Sequence, residues 1–372
     1  AALARALLIS AKVPAAREHA ARARELARGA TPREIGHVNA LALAIEGNPA
    51  GALEATRAHL AEYPRDALVL SQATGVFGLI GFSGRQEREP ELYELLAGLA
   101  PHYGADWWFD SALAFAACEC GQLDEAWSLI ERSMAANPRH AHGAHIKVHV
   151  LYERGAHRAA LDYLEDWMPA YPKAGLMHCH LSWHVALAAL ALGEQVRAWR
   201  AYHEAVHPGG AWGPPLNVAT DAPSFLWRAE LAGEPRHTQL WTEVREYAAK
   251  SFPKAGVSFA DVHVALSCAA DGDHAGIERV IRELRERLAG GRLPAGEVVP
   301  RLAEAFAAYA KRDWHRVIEL LEAALPEAVR IGGSRAQRDI VGLTLRAACV
   351  QAGRTPPEGL ARPGAQIPVG PR

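Results

Sequence analysis

The sequence predicts an all-α protein: a right-handed α-α superhelix of about eight stacked helix pairs, forming one helical-repeat domain over residues 1–353. Three observations carry this. Gly47, Gly81, Gly121, Gly155, Gly193 and Gly233 recur with gaps of 34, 40, 34, 38 and 40 residues, each after an alanine-rich amphipathic stretch. Ala and Leu dominate a chain of 372 residues, half of them hydrophobic, in which strand formers are thin. Helix-starting and helix-stopping residues fall between the stretches at matching places. Such units cannot bury an apolar face alone, so they stack.

The elements follow in order. HVNALALAIEG (37–47) reads as one helix and NPAGALEATRAHLAEYP (48–64) as its partner, with Asn48 capping, Pro49 starting and Pro64 stopping. AFAACECGQLDEAWSLIERSMAANP (114–138) repeats that cadence most clearly, and further pairs are predicted at about 139–171, 176–207, 214–252, 257–290 and 295–331, with a last helix over 335–353. A period near 34 is that of the tetratricopeptide repeat. With the first helix of each pair called A and the second B, the A helices are expected to line a concave surface and, if the stack curls, a central polar cavity. HPGGAWGPPLNVAT (207–220) is too rich in Gly and Pro to read as helix, which predicts a loop insertion serving as a lid, a partner contact or a tolerated insertion. RTPPEGLARPGAQIPVGPR (354–372) has no apolar period and reads as a flexible tail.

Forty basic residues against forty-two acidic ones give a net charge of -2, which argues against nucleic acid and acidic membrane surfaces as partners. No apolar run reaches spanning length, and the opening AALARALLIS lacks a basic leader, so a cytoplasmic location is expected. Cys118, Cys120, Cys179, Cys268 and Cys349 fall within predicted helices without metal-knuckle spacing and read as free thiols of a reducing compartment.

The eighteen histidines are the main chemical clue. His37 and His145 lie ten residues before Gly47 and Gly155, and His184 and His263 lie nine before Gly193 and Gly272. At a rise of about 1.5 Å per residue, these side chains should share one height on parallel A helices, as a belt. His145 with His149 and His180 with His184 are i,i+4 pairs, each on one helical face. Three readings stay open: a transition-metal site completed by Asp221 or Asp261, a metal-free polar pocket for binding or acid–base work, and histidines that only satisfy hydrogen bonds between helices. No phosphate loop, nucleophile elbow or Cys–His protease pattern is present. In GGSRAQRD (332–339), Ser334 and Gln337 form a capping box, while Arg338 and Asp339 are free either to reach the concave surface, to hold an anion and orient a histidine, or to pair in solvent. Trp107, Trp108, Trp183 and Trp227 read as packing residues first and as an aromatic wall second.

GGSRAQRD, CHLSWHVAL (179–187), HVNALALAIEGN (37–48), DAPSFLWR (221–228), FADVH (259–263) and the His145/His149 pair, in register, resemble the tetratricopeptide-repeat protein 38 family over about residues 30–350. The resemblance implies an all-helical repeat protein whose shared polar positions match His37, His145, His149, His180, His184, His263, Asp221, Arg228, Asp261, Gln337, Arg338 and Asp339. It carries no known reaction. Where the family pattern after His149 continues with a further His and a Glu, this chain has Leu151 and Tyr152, so a metal site needing that third histidine would be incomplete.

The expected function is binding of a small molecule or peptide in a concave cavity, with His37, His149, His180, Asp221, Arg228, Gln337, Arg338 and Asp339 as ligand contacts and no resident cofactor or metal. The alternative is a hydrolase or lyase with His145, His184 or His263 as base, assisted by Asp261, and Arg228 or Arg338 holding an anionic substrate. A homodimer through the terminal helices is left open.

Overall fold

The computed structural model describes residues 1–10, 12–360 and 362–367. Among them there are nineteen α-helices and no strand. The order is α1 (Ala2–Ile9), α2 (Val13–Leu26), α3 (Pro32–Glu46), α4 (Pro49–Glu62), α5 (Ala67–Ser71), α6 (Arg88–Tyr103), α7 (Trp107–Glu119), α8 (Leu123–Ala136), α9 (Ala141–Glu153) and α10 (His157–Trp167). Then come α11 (His178–Ala191), α12 (Gln195–Ala201), α13 (Pro215–Leu231), α14 (Thr238–Ser251), α15 (Ser258–Asp271), α16 (His274–Ala289), α17 (Val298–Ala310), α18 (Trp314–Ala324) and α19 (Arg335–Gln351). Among the described residues, no helix is long and apolar enough to cross a membrane.

Local chemistry sets these boundaries. Thr31 and Glu34 form a capping box ahead of Pro32, Asn48 caps α4, Asp106 caps α7, and Asp273 and Asp313 cap α16 and α18. Gly47, Gly121, Gly155, Gly193 and Gly233 all adopt positive φ at the turn between paired helices. Gly81 does not belong to that series. It sits in an irregular stretch between α5 and α6, where an added Cβ would lie 2.3 Å from the Val76 carbonyl oxygen.

Most helices pack on the next, the exceptions being α5 with α6 and α12 with α13, and the first members of successive pairs also touch in series: α7 on α9, α9 on α11, α11 on α13, α13 on α15, α15 on α17. Twelve of the fourteen residues of α15 are buried, against four of the sixteen in α16, so in this pair the A helix is the inner member and the B helix the outer one. The last helix, α19, returns to pack on α9 and α13. That contact brings distant polar positions to the same inner face.

Two expectations change. The 207–220 stretch is a loop only through 214; Pro215 takes the first position of α13, where a proline's missing N–H costs nothing, and 215–220 is helical. The tail packs in part. Arg362 binds Asp339 and Glu153, and Gly364 lies against Tyr152, while residues 361 and 368–372 of the predicted tail fall outside the described residues. All five cysteines are unpaired, with Cys120 the one that is not buried.

Candidate functional site

The site begins with two His-x3-His pairs on neighbouring inner helices. One helical turn apart on α9, His145 and His149 point the same way; His180 and His184 do so on α11, which packs beside it. One imidazole nitrogen from each of the four lies within 4.8 Å of the others, and all four residues are buried. His145 Nε2 is 2.8 Å from His149 Nε2 and 3.0 Å from His180 Nε2. The ring centroids of His149 and His184 are 4.6 Å apart.

A third helix orients the cluster. Asp221 of α13 accepts a hydrogen bond from His180 Nδ1–H at 2.6 Å, and because a carboxylate only accepts, His180 turns Nε2 toward His145. Gln337 of α19, whose side-chain oxygen completes the Ser334 capping box, donates from Nε2 to the other Asp221 oxygen at 3.4 Å. Trp183 stacks on His180 with centroids 5.3 Å apart. Burial, then the neighbouring imidazoles, hold His145 and His149 well below the ordinary histidine range; His184 is depressed by burial, then by His149, His180 and the Arg228 cation.

The nitrogens are not satisfied by one another. A ring nitrogen has one hydrogen or one lone pair, so His145 Nε2 cannot serve both His149 and His180 fully. His145 Nδ1, His149 Nδ1 and His184 Nε2 have no hydrogen-bond partner within the protein. Hydrogen bonds within the protein therefore reach only part of the cluster's ring nitrogens.

The cluster forms one wall of a cavity of about 440 Å³. His142, His145, His149 and His180 line it together with Phe115 and Gln337; the opposite side is made by Arg5, Leu8 and Ile9 of α1 and by residues 71–78. Arg5 is the one charged side chain in the lining. His142 stacks on His145 at 5.4 Å, and burial, followed by the His140 and His180 charges, lowers its pKa to about 4. Of the 207–220 stretch only Asn217 reaches the cavity.

The remaining expected residues sit elsewhere. His37 and His59 both bond one oxygen of Asp66, at 2.8 and 2.9 Å, while the other oxygen caps Val69 N–H at 3.3 Å. That group is already paired, although it borders a larger cleft of 740 Å³. His263 donates from Nδ1 to the Phe259 carbonyl, and Asp261 accepts from Gly256 N–H, so neither joins the four histidines. Arg228 is spent on α19: it donates to the Ala336 carbonyl at 2.6 Å and to Ser224. Arg338 bonds Gly333 and Glu89, and Asp339 accepts from Tyr152 at 2.7 Å and from Arg362 rather than orienting a histidine. Trp227 donates to Thr344 at 2.8 Å inside the core. Sequence reasoning missed His142, although its i,i+3 spacing to His145 was readable, and missed Arg5 and Gln72, whose approach depends on how α1 and the 71–78 turns fold back. Compared with known protein families, the chain matches no family model.

Proposed function

We propose that the chain is a tetratricopeptide-like helical-repeat protein, as its resemblance to the tetratricopeptide-repeat protein 38 family implies, and that it binds a small anionic molecule in the histidine-walled cavity. The observation that carries this reading is the lining itself: converging imidazole nitrogens and amide groups, with Arg5 as the sole charged side chain. Serial packing of the A helices and left-handed glycines at the pair turns support the repeat architecture. A volume of about 440 Å³ suits a small molecule rather than an extended peptide. His142, His145, His149, His180 and Gln337 supply polar contacts, and Arg5 supplies the charge.

The test is a thermal-shift panel of small carboxylates and matched amines on wild type and Arg5→Gln. A carboxylate is expected to raise the wild-type melting temperature, with a smaller gain in the variant. Amines that stabilise as well as carboxylates, or a carboxylate gain unchanged in Arg5→Gln, would sink the reading.

A hydrolase or lyase is the second reading. What favours it is that two imidazoles, His145 and His149, line the cavity where a bound molecule would meet their rings. His184, His263 and Asp261 do not line the cavity and take no direct part in that version.

A further inference from the structure

We propose that His145, His149, His180 and His184 hold one divalent first-row transition ion, with Asp221 orienting His180 and an open coordination position facing the cavity. The ion site stands on the cluster geometry alone; the open position as a place for an anionic ligand rests on the binding reading above.

The donor set fits. Four neutral imidazoles are nitrogen ligands suited to zinc, nickel, copper, cobalt or iron and unsuited to magnesium or calcium. At metal–nitrogen distances of about 2.0–2.1 Å, ligands at right angles are roughly 2.8–3.0 Å apart and ligands at the tetrahedral angle about 3.3 Å. The two observed spacings, 2.8 and 3.0 Å, fall at the right-angled values, and all four nitrogens lie within 4.8 Å of one another. A cation accepts every lone pair at once, and so resolves the conflict at His145 Nε2, where one nitrogen faces two neighbours. The hydrogen bond from His180 to Asp221, itself held by Gln337, is the outer support that metal-bound histidines commonly have.

The contrast with His37, His59 and Asp66 sharpens the argument. There, two imidazoles each meet a carboxylate oxygen, and nothing is left over for an ion to resolve. The four-histidine cluster has no carboxylate among its ligands, so a divalent ion would leave net positive charge, increased by nearby Arg228. An anion entering from the Arg5 side of the cavity offsets that charge.

The test uses the full untagged chain, stripped with a chelator and titrated with cobalt(II) and zinc(II), read by elemental analysis and by the visible cobalt spectrum. One equivalent per chain is expected, lost in His145→Ala and His149→Gln and retained in His37→Ala. Asp221→Asn is expected to weaken cobalt binding by about 10–100-fold and to move the cobalt bands, which a purely structural role would not do. A folded wild type that takes up neither ion at micromolar concentration overturns the site, as does equal uptake by folded His149→Gln. With cobalt bound, succinate should shift the bands; unchanged bands would overturn the open position and leave the ion site standing.

Discussion

Asp261 of α15 accepts hydrogen bonds from Gly256 N–H at 3.2 and 3.0 Å on its two oxygens, yet burial raises its pKa to about 7 against the help of Gly256 and of Arg287, with Glu283 of α16 also opposing ionisation. The folded chain therefore keeps a proton there between about 4 and 7 that the unfolded chain has released. The linked stability is complete below the unfolded value near 3.8 and is lost as pH rises through 7. Asp261→Asn keeps an acceptor for Gly256 and carries no charge, so its melting temperature relative to wild type should be higher at pH 8 than at pH 5. Equal differences at both pH values would show that the carboxylate is not destabilising. At this scale the i,i+4 histidine pairs were legible, because helical periodicity alone puts them on one face. The belt was not. Equal offsets give equal heights only on helices that stack side by side, and α5, the irregular 72–87 stretch and α6 separate α3 from α7, so His37 goes to Asp66 instead. His180 and Asp221, 41 residues apart, meet because α13 packs on α11, which spacing does not reveal.

Helix boundaries are local events, and that is why most elements could be read in advance. Caps, left-handed glycines and first-position prolines act within one turn. The same locality misled at 215–220, where Pro214 and Pro215 look like helix breakers but introduce α13. On α19 the capping box has a second consequence, since Gln337 ties the helix start to Asp221. Ser334→Ala should cost about 1 kcal/mol, the usual loss for a serine N-cap, seen in a chain of this length as a melting temperature lower by about 1 °C. No measurable drop would mean that the carbonyl contacts from Arg88 and Arg228 around this helix start are sufficient to hold it.

Across the whole molecule, the stretch from Gly84 to Glu119 is joined to the segment that leads into α19. Arg88 donates to the carbonyls of Val329 at 2.7 Å and Gly333 at 2.6 Å, Arg330 to the carbonyl of Gly84 at 2.8 Å, and Arg335 N–H to Glu119 at 2.8 Å. These contacts, more than 200 residues apart in sequence, let α19 sit across α9 and α13 and make a cavity from residues as distant as Arg5 and Gln337. Repeat spacing describes one unit and its neighbour, so it could suggest an inner polar surface but could not say which residues would converge on it. The central claim is that this convergence is a binding centre. The most direct measurement is anomalous diffraction from crystals of the full chain grown with cobalt(II). The account predicts one peak about 2.0–2.2 Å from nitrogens of His145, His149, His180 and His184, at the cavity wall. No peak there, with the four rings bonded only to one another and to water, would contradict it.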